Sequence, residues 1–212
     1  MWADEIGGAM GRLVVTEFVT LDGVMEDPGG AEDFEHGGWS FEFDRGSDGD
    51  RFKLDELMAA DAQLLGRVTY QGFARAWPSM EGNPFAEKMN EMPKYVVSST
   101  LSDAEADWRN STVIRGDLGA EVSSLKDSVP GDVLVAGSGQ LARGLAEHDL
   151  IDEYRLMVFP VLLGTGKRLF VEGVPRRRLR LTGSAQVGTD GVMTFTYEPQ
   201  RQASSGDDRA AA

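Results

Sequence analysis

The sequence contains no cysteine and only two histidines, His36 and His148. The first absence excludes disulfides, thiolate zinc sites, iron–sulfur clusters and cysteine nucleophiles. The second argues against a histidine triad or a histidine-rich metal centre, so no metal site is expected. Basic residues are also scarce. Lys and Arg number 21 against 35 Asp and Glu, a formal net charge of −14. A chain this acidic does not hold nucleic acid by general electrostatics, and any anionic ligand needs a local cluster of donors. No apolar run approaches the length of a membrane span. The N-terminus, MWADEIGGAM, lacks the basic start and apolar stretch of a signal peptide. A cytoplasmic protein with no membrane or nucleic-acid partner is expected.

What is present is a chain of 212 residues, enough for one domain with a full core. The segment 10-MGRLVV makes a natural start, which leaves residues 1–9 as an extension. Residues 10–199 then form the domain, and residues 200–212, poor in large apolar side chains, form a flexible tail. The run 12–19 is rich in β-branched residues and reads as a buried strand. Strands are also expected at 62–65, 94–98, 111–115 and 132–136, with helices at about 50–60, 68–76, 85–90, 119–126 and 140–147 between and after them. The helix at 50–60 is read from Leu54, Leu57 and Met58. The glycine- and aromatic-rich segment 26–50 has the character of a binding loop. Three further strands, 152–159, 179–187 and 192–198, close the chain, the last two around the hairpin signal Gly188-Thr189-Asp190-Gly191. The fold class is therefore α/β, a mainly parallel sheet flanked by helices with antiparallel strands at its C-terminal edge.

Several strand ends carry residues suited to an anion. The strand at 132–136 runs into Gly137-Ser138-Gly139 and then a helix, where backbone N–H groups face outward and glycine admits a close ligand. The spacing Gly137-x-Gly139-x-x-Ala142 fits a dinucleotide fingerprint, and a plain strand-to-helix turn fits as well. A β-carbon at Gly139 is expected to fill the ligand space and to demand a disallowed backbone angle. Arg67 and Thr69, after Gly66, sit at another helix start and suit the phosphate monoester that marks NADP. Ser98, Ser99 and Thr100 end a third strand. Asp50 reads either as a helix N-cap or as a carboxylate facing a substrate. Asp22 reads as a turn residue before Gly23. Trp39 and Trp77 read as packing residues, and Arg176-Arg177-Arg178 as a solvated turn.

The order of these motifs resembles the dihydrofolate reductase-like superfamily, and within it the reductase domain of bacterial riboflavin biosynthesis, the RibD C-terminal family. The segments that carry the resemblance are Thr20-Leu21-Asp22-Gly23, Gly66-Arg67-Val68-Thr69, Val97-Ser98-Ser99-Thr100, Ala136-Gly137-Ser138-Gly139-Gln140-Leu141 and Phe159-Pro160-Val161-Leu162-Leu163-Gly164-Thr165-Gly166. It covers residues 10 to 198. The resemblance implies NADPH as cofactor. Arg67 and Thr69 would hold the 2′-phosphate side, with Gly66 before them and Ser98 and Ser99 near the adenosine. Gly137, Ser138, Gly139, Gln140 and Leu141 would wrap the pyrophosphate. Thr20 and Asp22 would lie near the nicotinamide and substrate, and Thr165 would close the cofactor site. It also implies a cis Gly137–Ser138 bond, a homodimer, and a catalytic carboxylate that the family's spacing puts at Asp50. The reading is an NADPH-dependent reductase of a small heterocycle, similar to 5-amino-6-(5-phosphoribosylamino)uracil reductase or dihydrofolate reductase. The rival reading is a non-catalytic nucleotide-binding or interaction module on the same fold.

Overall fold

The computed structural model describes residues 10–80 and 82–200. The extension at 1–9 and the tail beyond residue 200 lie outside the described residues. Among the described residues eight strands form one sheet: β1 (Arg12–Thr20), β2 (Ala60–Gly66), β3 (Lys94–Val97), β4 (Ser111–Ile114), β5 (Asp132–Ala136), β6 (Glu153–Phe159), β7 (Leu179–Val187) and β8 (Val192–Pro199). Their order across the sheet is β4-β3-β2-β5-β1-β6-β8-β7. Pairings from β4 to β6 are parallel, while β8 runs antiparallel to both β6 and β7. The helices are α1 (Gly46–Ala59), α2 (Arg67–Ala76), α3 (Pro84–Glu91), α4 (Leu118–Ser128) and α5 (Gly139–Glu147). The expected sheet is therefore present, with its antiparallel strands at one edge.

The central strand β1 is apolar on both faces because helices cover both. Leu13, Val15 and Val19 join one core with Val122 and Leu125 of α4 and Leu141 and Leu145 of α5. Val14, on the other face, joins Leu57 of α1 and Tyr70 of α2. A third cluster gathers Trp39, Met157, Phe159, Val187 and Val192 under the antiparallel end. Trp39 thus packs, as expected, with its ring 5.3 Å from that of Phe159 and its Nε1 donating to Glu26 O. At the amino ends of the strands Arg155 bonds Asp132 at 2.8 Å and Glu153 at 2.5 Å, and Arg12 pairs with Glu153. Those charges neutralise one another.

Helix α1 departs from the sequence reading. It begins at Gly46, four residues early, because Asp44 Oδ1 accepts the Gly46 N–H at 2.8 Å and the β7–β8 hairpin clamps the entry. A β-carbon on Gly46 would approach Gly188 Cα at 3.0 Å. Its inward positions are Gly49, Glu56 and Leu57, whereas Met58 is exposed. Two short 3₁₀ turns, Trp39–Glu42 and Trp77–Ser79, were not anticipated.

Candidate active site

Three parallel strands, β1, β2 and β5, deliver their carboxyl ends to one rim of the sheet. Ligands collect at such rims in open α/β sheets. Strand β2 passes directly into α2, and β5 passes through Gly137-Ser138 into α5. The two helix starts are tied together. Gly66 N donates to Ser138 Oγ at 3.0 Å, Ser138 Oγ donates to Ala136 O at 3.1 Å, and Thr69 Oγ1 donates to Gly137 O at 2.9 Å. Two positive helix ends therefore lie side by side, each with first-turn N–H groups that lack helical partners. Gly137 and Gln140 are exposed at this rim, and exposed Arg67 bonds Gln71 at 3.1 Å.

Glycine is required here for reasons that differ by position. Gly137 has φ 64°, and a β-carbon there would stand 3.0 Å from Thr69 Cγ2. Gly139, contrary to expectation, opens α5 without a left-handed backbone; a β-carbon would instead strike Met25 Sδ at 2.8 Å. The obstruction at Gly139 is thus a core side chain. Leu141 sends its side chain into the core, so only its backbone is available to a ligand. The expected cis bond is absent, since no peptide among the described residues is cis. A cis bond before a non-proline residue costs about 3 kcal/mol, and in trans Ser138 buries its hydroxyl against Gly66.

The remaining expected site residues divide clearly. Thr20 is buried and committed: its Oγ1 donates to Asp22 Oδ1 at 2.6 Å and accepts from Val24 N at 2.9 Å. Asp22 also accepts from Leu163 N, from Gly164 N and from Arg168 Nη2. These bonds, led by the Thr20 hydroxyl, hold its carboxyl down to about 2. Asp22 is therefore an ionised clasp between the loops after β1 and β6, and it holds no proton to give at neutral pH. Thr165 lies exposed in that second loop. Ser98 Oγ closes its own turn by accepting from Thr100 N and Leu101 N, while Ser99 and Thr100 are exposed. Asp50 lies within α1, neither at its N-cap nor against the sheet. Its side chain is 66% exposed and pairs with Arg45 at 2.7 Å.

The sequence reading passed over buried polar residues on β1 and α1. Thr16 Oγ1 bonds both Glu56 carboxylate oxygens, at 2.8 and 3.0 Å, and accepts from Lys53 Nζ at 2.6 Å. Lys53 also pairs with Glu56 and lies 5.1 Å above the Phe18 ring. Glu17, next along β1, is buried beside the Gly137–Ser138 turn. Burial pushes its carboxyl up to about 8, against the pull of the Gly137 and Ser138 backbone amides and of Lys53. Its Oε1 has no hydrogen-bond partner among the described residues. The available signal was Thr16-Glu17 in the middle of an otherwise apolar strand, two polar residues facing opposite sides of the sheet.

Comparison with known proteins agrees with this architecture. The family model described as the RibD C-terminal domain matches residues 12–193. Two Bacillus subtilis (strain 168) proteins align over most of their length. YwjB is 31% identical across 84% of this chain and 92% of its own, and YyaP is 28% identical across 88% and 94%. Both carry the name uncharacterized protein. Among solved structures, a Shewanella sp. PV-4 protein named for riboflavin biosynthesis superposes with a TM-score of 0.72 at 22% identity, covering 90% of this chain and 99% of that one. Dihydrofolate reductase from Enterococcus faecalis, complexed with NADP(H), gives 0.57 at 13% identity, covering 91% and 99%. These structural likenesses establish the fold, and the family match over residues 12–193 establishes that the chain belongs to the RibD C-terminal domain family.

Proposed function

We propose that the protein is an NADPH-dependent reductase acting on a small heterocycle, of pyrimidine or pterin type, or a related compound. One observation carries the reading: the α2 and α5 N-termini are bonded into a single rim by Gly66, Thr69, Gly137 and Ser138. A pyrophosphate spans two adjacent anion sites, and two converging helix ends offer that pair. The residues present fit the group. Gly137 leaves no room for a β-carbon, and Arg67 stands exposed at the α2 start, where a 2′-phosphate would meet a guanidinium.

NADPH supplies the hydride when bound, and the chain supplies binding, orientation and exclusion of water. The α2 and α5 amides would hold the pyrophosphate, with Ser99 on the adenosine side. On the opposite face of β1, Lys53 is fixed by Glu56 and Thr16 above Phe18. Its ammonium is the charged donor that would meet a polarised C=N or C=O of the substrate. Asp22 holds the two flanking loops together.

The test is titration of NADPH and NADH into wild type and Arg67→Ala. A charge-assisted contact to phosphate contributes about 1.5–3 kcal/mol, so NADPH should weaken about tenfold or more while NADH is unchanged. Equal loss of both cofactors refutes the phosphate assignment. NADPH oxidation over a panel of pteridines, pyrimidines and small carbonyls then separates a reductase from a module that binds without turnover.

A further inference from the structure

Glu17 is not explained by the function proposed above. It is a carboxyl group in the middle of β1, one residue past the point where β5 ends beside it, 5% exposed, with one oxygen lacking a hydrogen-bond partner among the described residues. It faces the backbone amides of Gly137 and Ser138, the residues that lead into the α5 N-terminus. A helix start attracts any anion, including one belonging to the protein. The same turn therefore has two competitors for its amides: an ionised Glu17 from below and an external phosphate from outside.

The surroundings decide which form Glu17 takes. Strand β6 places uncharged Leu156 opposite it, and β5 ends at uncharged Ala136. Arg143 of α5 is turned to the Gly139 carbonyl, at 3.3 Å. From α1, Lys53 favours the carboxylate and Glu56 opposes it. Lys53 is already engaged by Glu56 and Thr16, so among the described residues Glu17 has no cation of its own. Burial without a counter-ion favours the neutral acid, in keeping with its rise to about 8.

We infer that Glu17 is a positioning residue of the cofactor turn, which in its neutral form braces the Gly137–Ser138 amides and leaves the α5 anion site free, and which on ionising occupies that site and expels the pyrophosphate. The inference rests on the NADPH reading of the same rim. Cofactor binding is then proton-linked. Below the Glu17 transition NADPH binds a ready site; above it, each binding event takes up one proton.

Calorimetric titration of NADPH from pH 7 to 9.5 tests this on the full chain. In wild type the Kd should rise at least tenfold across that range, and at pH 9 binding in two buffers of different ionisation enthalpy should report uptake of about one proton. Glu17→Gln, isosteric and permanently neutral, should change less than twofold over the same range and take up none. A flat wild-type profile, or a Gln variant that keeps the wild-type slope, overturns the role of Glu17 while leaving the NADPH site standing. Absence of NADPH binding by both proteins at every pH overturns both. Should Glu17→Gln fail to fold, wild-type proton uptake alone decides, and none at pH 9 is the refuting result.

Discussion

Lys94 is the most deeply buried cation of the described residues, and its replacement by Met gives a demanding test of the packing described above. The side chain is 0% exposed. Its Nζ donates to Asn90 O at 2.8 Å, Met92 O at 2.9 Å and Arg109 O at 2.9 Å, so all three N–H bonds are used. It also lies 4.3 Å above the Trp108 ring. Two of the carbonyls belong to the C-terminal end of α3, where the helix has no donors left and a positive charge is favoured. Burial pushes the ammonium down to about 8, still above neutrality, so it is charged at pH 7. Lys94→Met keeps the length and removes the donors. The gross loss is three bonds from a charged donor, about 1.5–3 kcal/mol each, and a buried cation–π contact of about 2 kcal/mol. Relief from dehydrating the ammonium offsets several kcal/mol of this. The three carbonyls left behind, at about 1 kcal/mol each or more, set the net cost at about 3 kcal/mol. For a domain of this size that lowers Tm by about 6–12 °C. Urea unfolding at pH 7, followed by circular dichroism, reads the value directly. A loss under about 1 kcal/mol, or a gain, would refute the reasoning and show that an apolar side chain serves that cage equally well.

Other expected outcomes follow from the rim and its loops. Gly137→Ala should weaken NADPH more than tenfold in fluorescence titration while far-ultraviolet dichroism stays native, because φ 64° and Thr69 at 3.0 Å both oppose a β-carbon. Asp22→Asn should lower Tm near neutrality. The carboxyl of Asp22 is held below its ordinary value, so its contribution exists above about pH 4 and is lost as pH falls toward 2; the Tm gap between wild type and variant should close over that window. A homodimer is proposed on the β7 side, where Leu179 and Leu181 are exposed on the outermost strand. Light scattering should give about twice the 23.0 kDa chain mass, and Leu181→Lys should halve it.

Much of the rim was legible because backbone chemistry announces itself locally. A β-rich run ending in Gly-Arg or Gly-Ser-Gly before a helical stretch fixes where a strand stops and which N–H groups face outward. Arg67, Thr69, Gly137 and Gln140 could be placed from such signals. Lys53 and Glu56 could not. They occupy positions on α1 where periodicity demands apolar residues, and they fit because Thr16, from a strand some 37–40 residues earlier, satisfies them. Nothing within the helix reveals that partner. Asp50 stands away from the sheet for a related reason: the family's spacing does not say which face of α1 meets the sheet, and that face is set by the Gly46 entry against the β7–β8 hairpin. Glu17 had the strongest local signal, an acid within an apolar strand, yet its meaning depends on β5, which supplies the Gly137–Ser138 turn beside it.

The placement of β1 has a consequence for how the molecule comes into being. The earliest of the eight described strands in chain order is central in the sheet, and both its neighbours, β5 and β6, come from beyond residue 131. Until that sequence is made, the run from Leu13 to Val19 has no strand to pair with on either edge. Strands β2, β3 and β4 pair in sequence and can assemble early, but they join the rest only through β5. The N-terminal half is thus no independent folding unit, and its most apolar segment waits longest for partners. Nascent chains stalled before Asp132 should bind holdase chaperones, and those that have exposed Phe159 should be released.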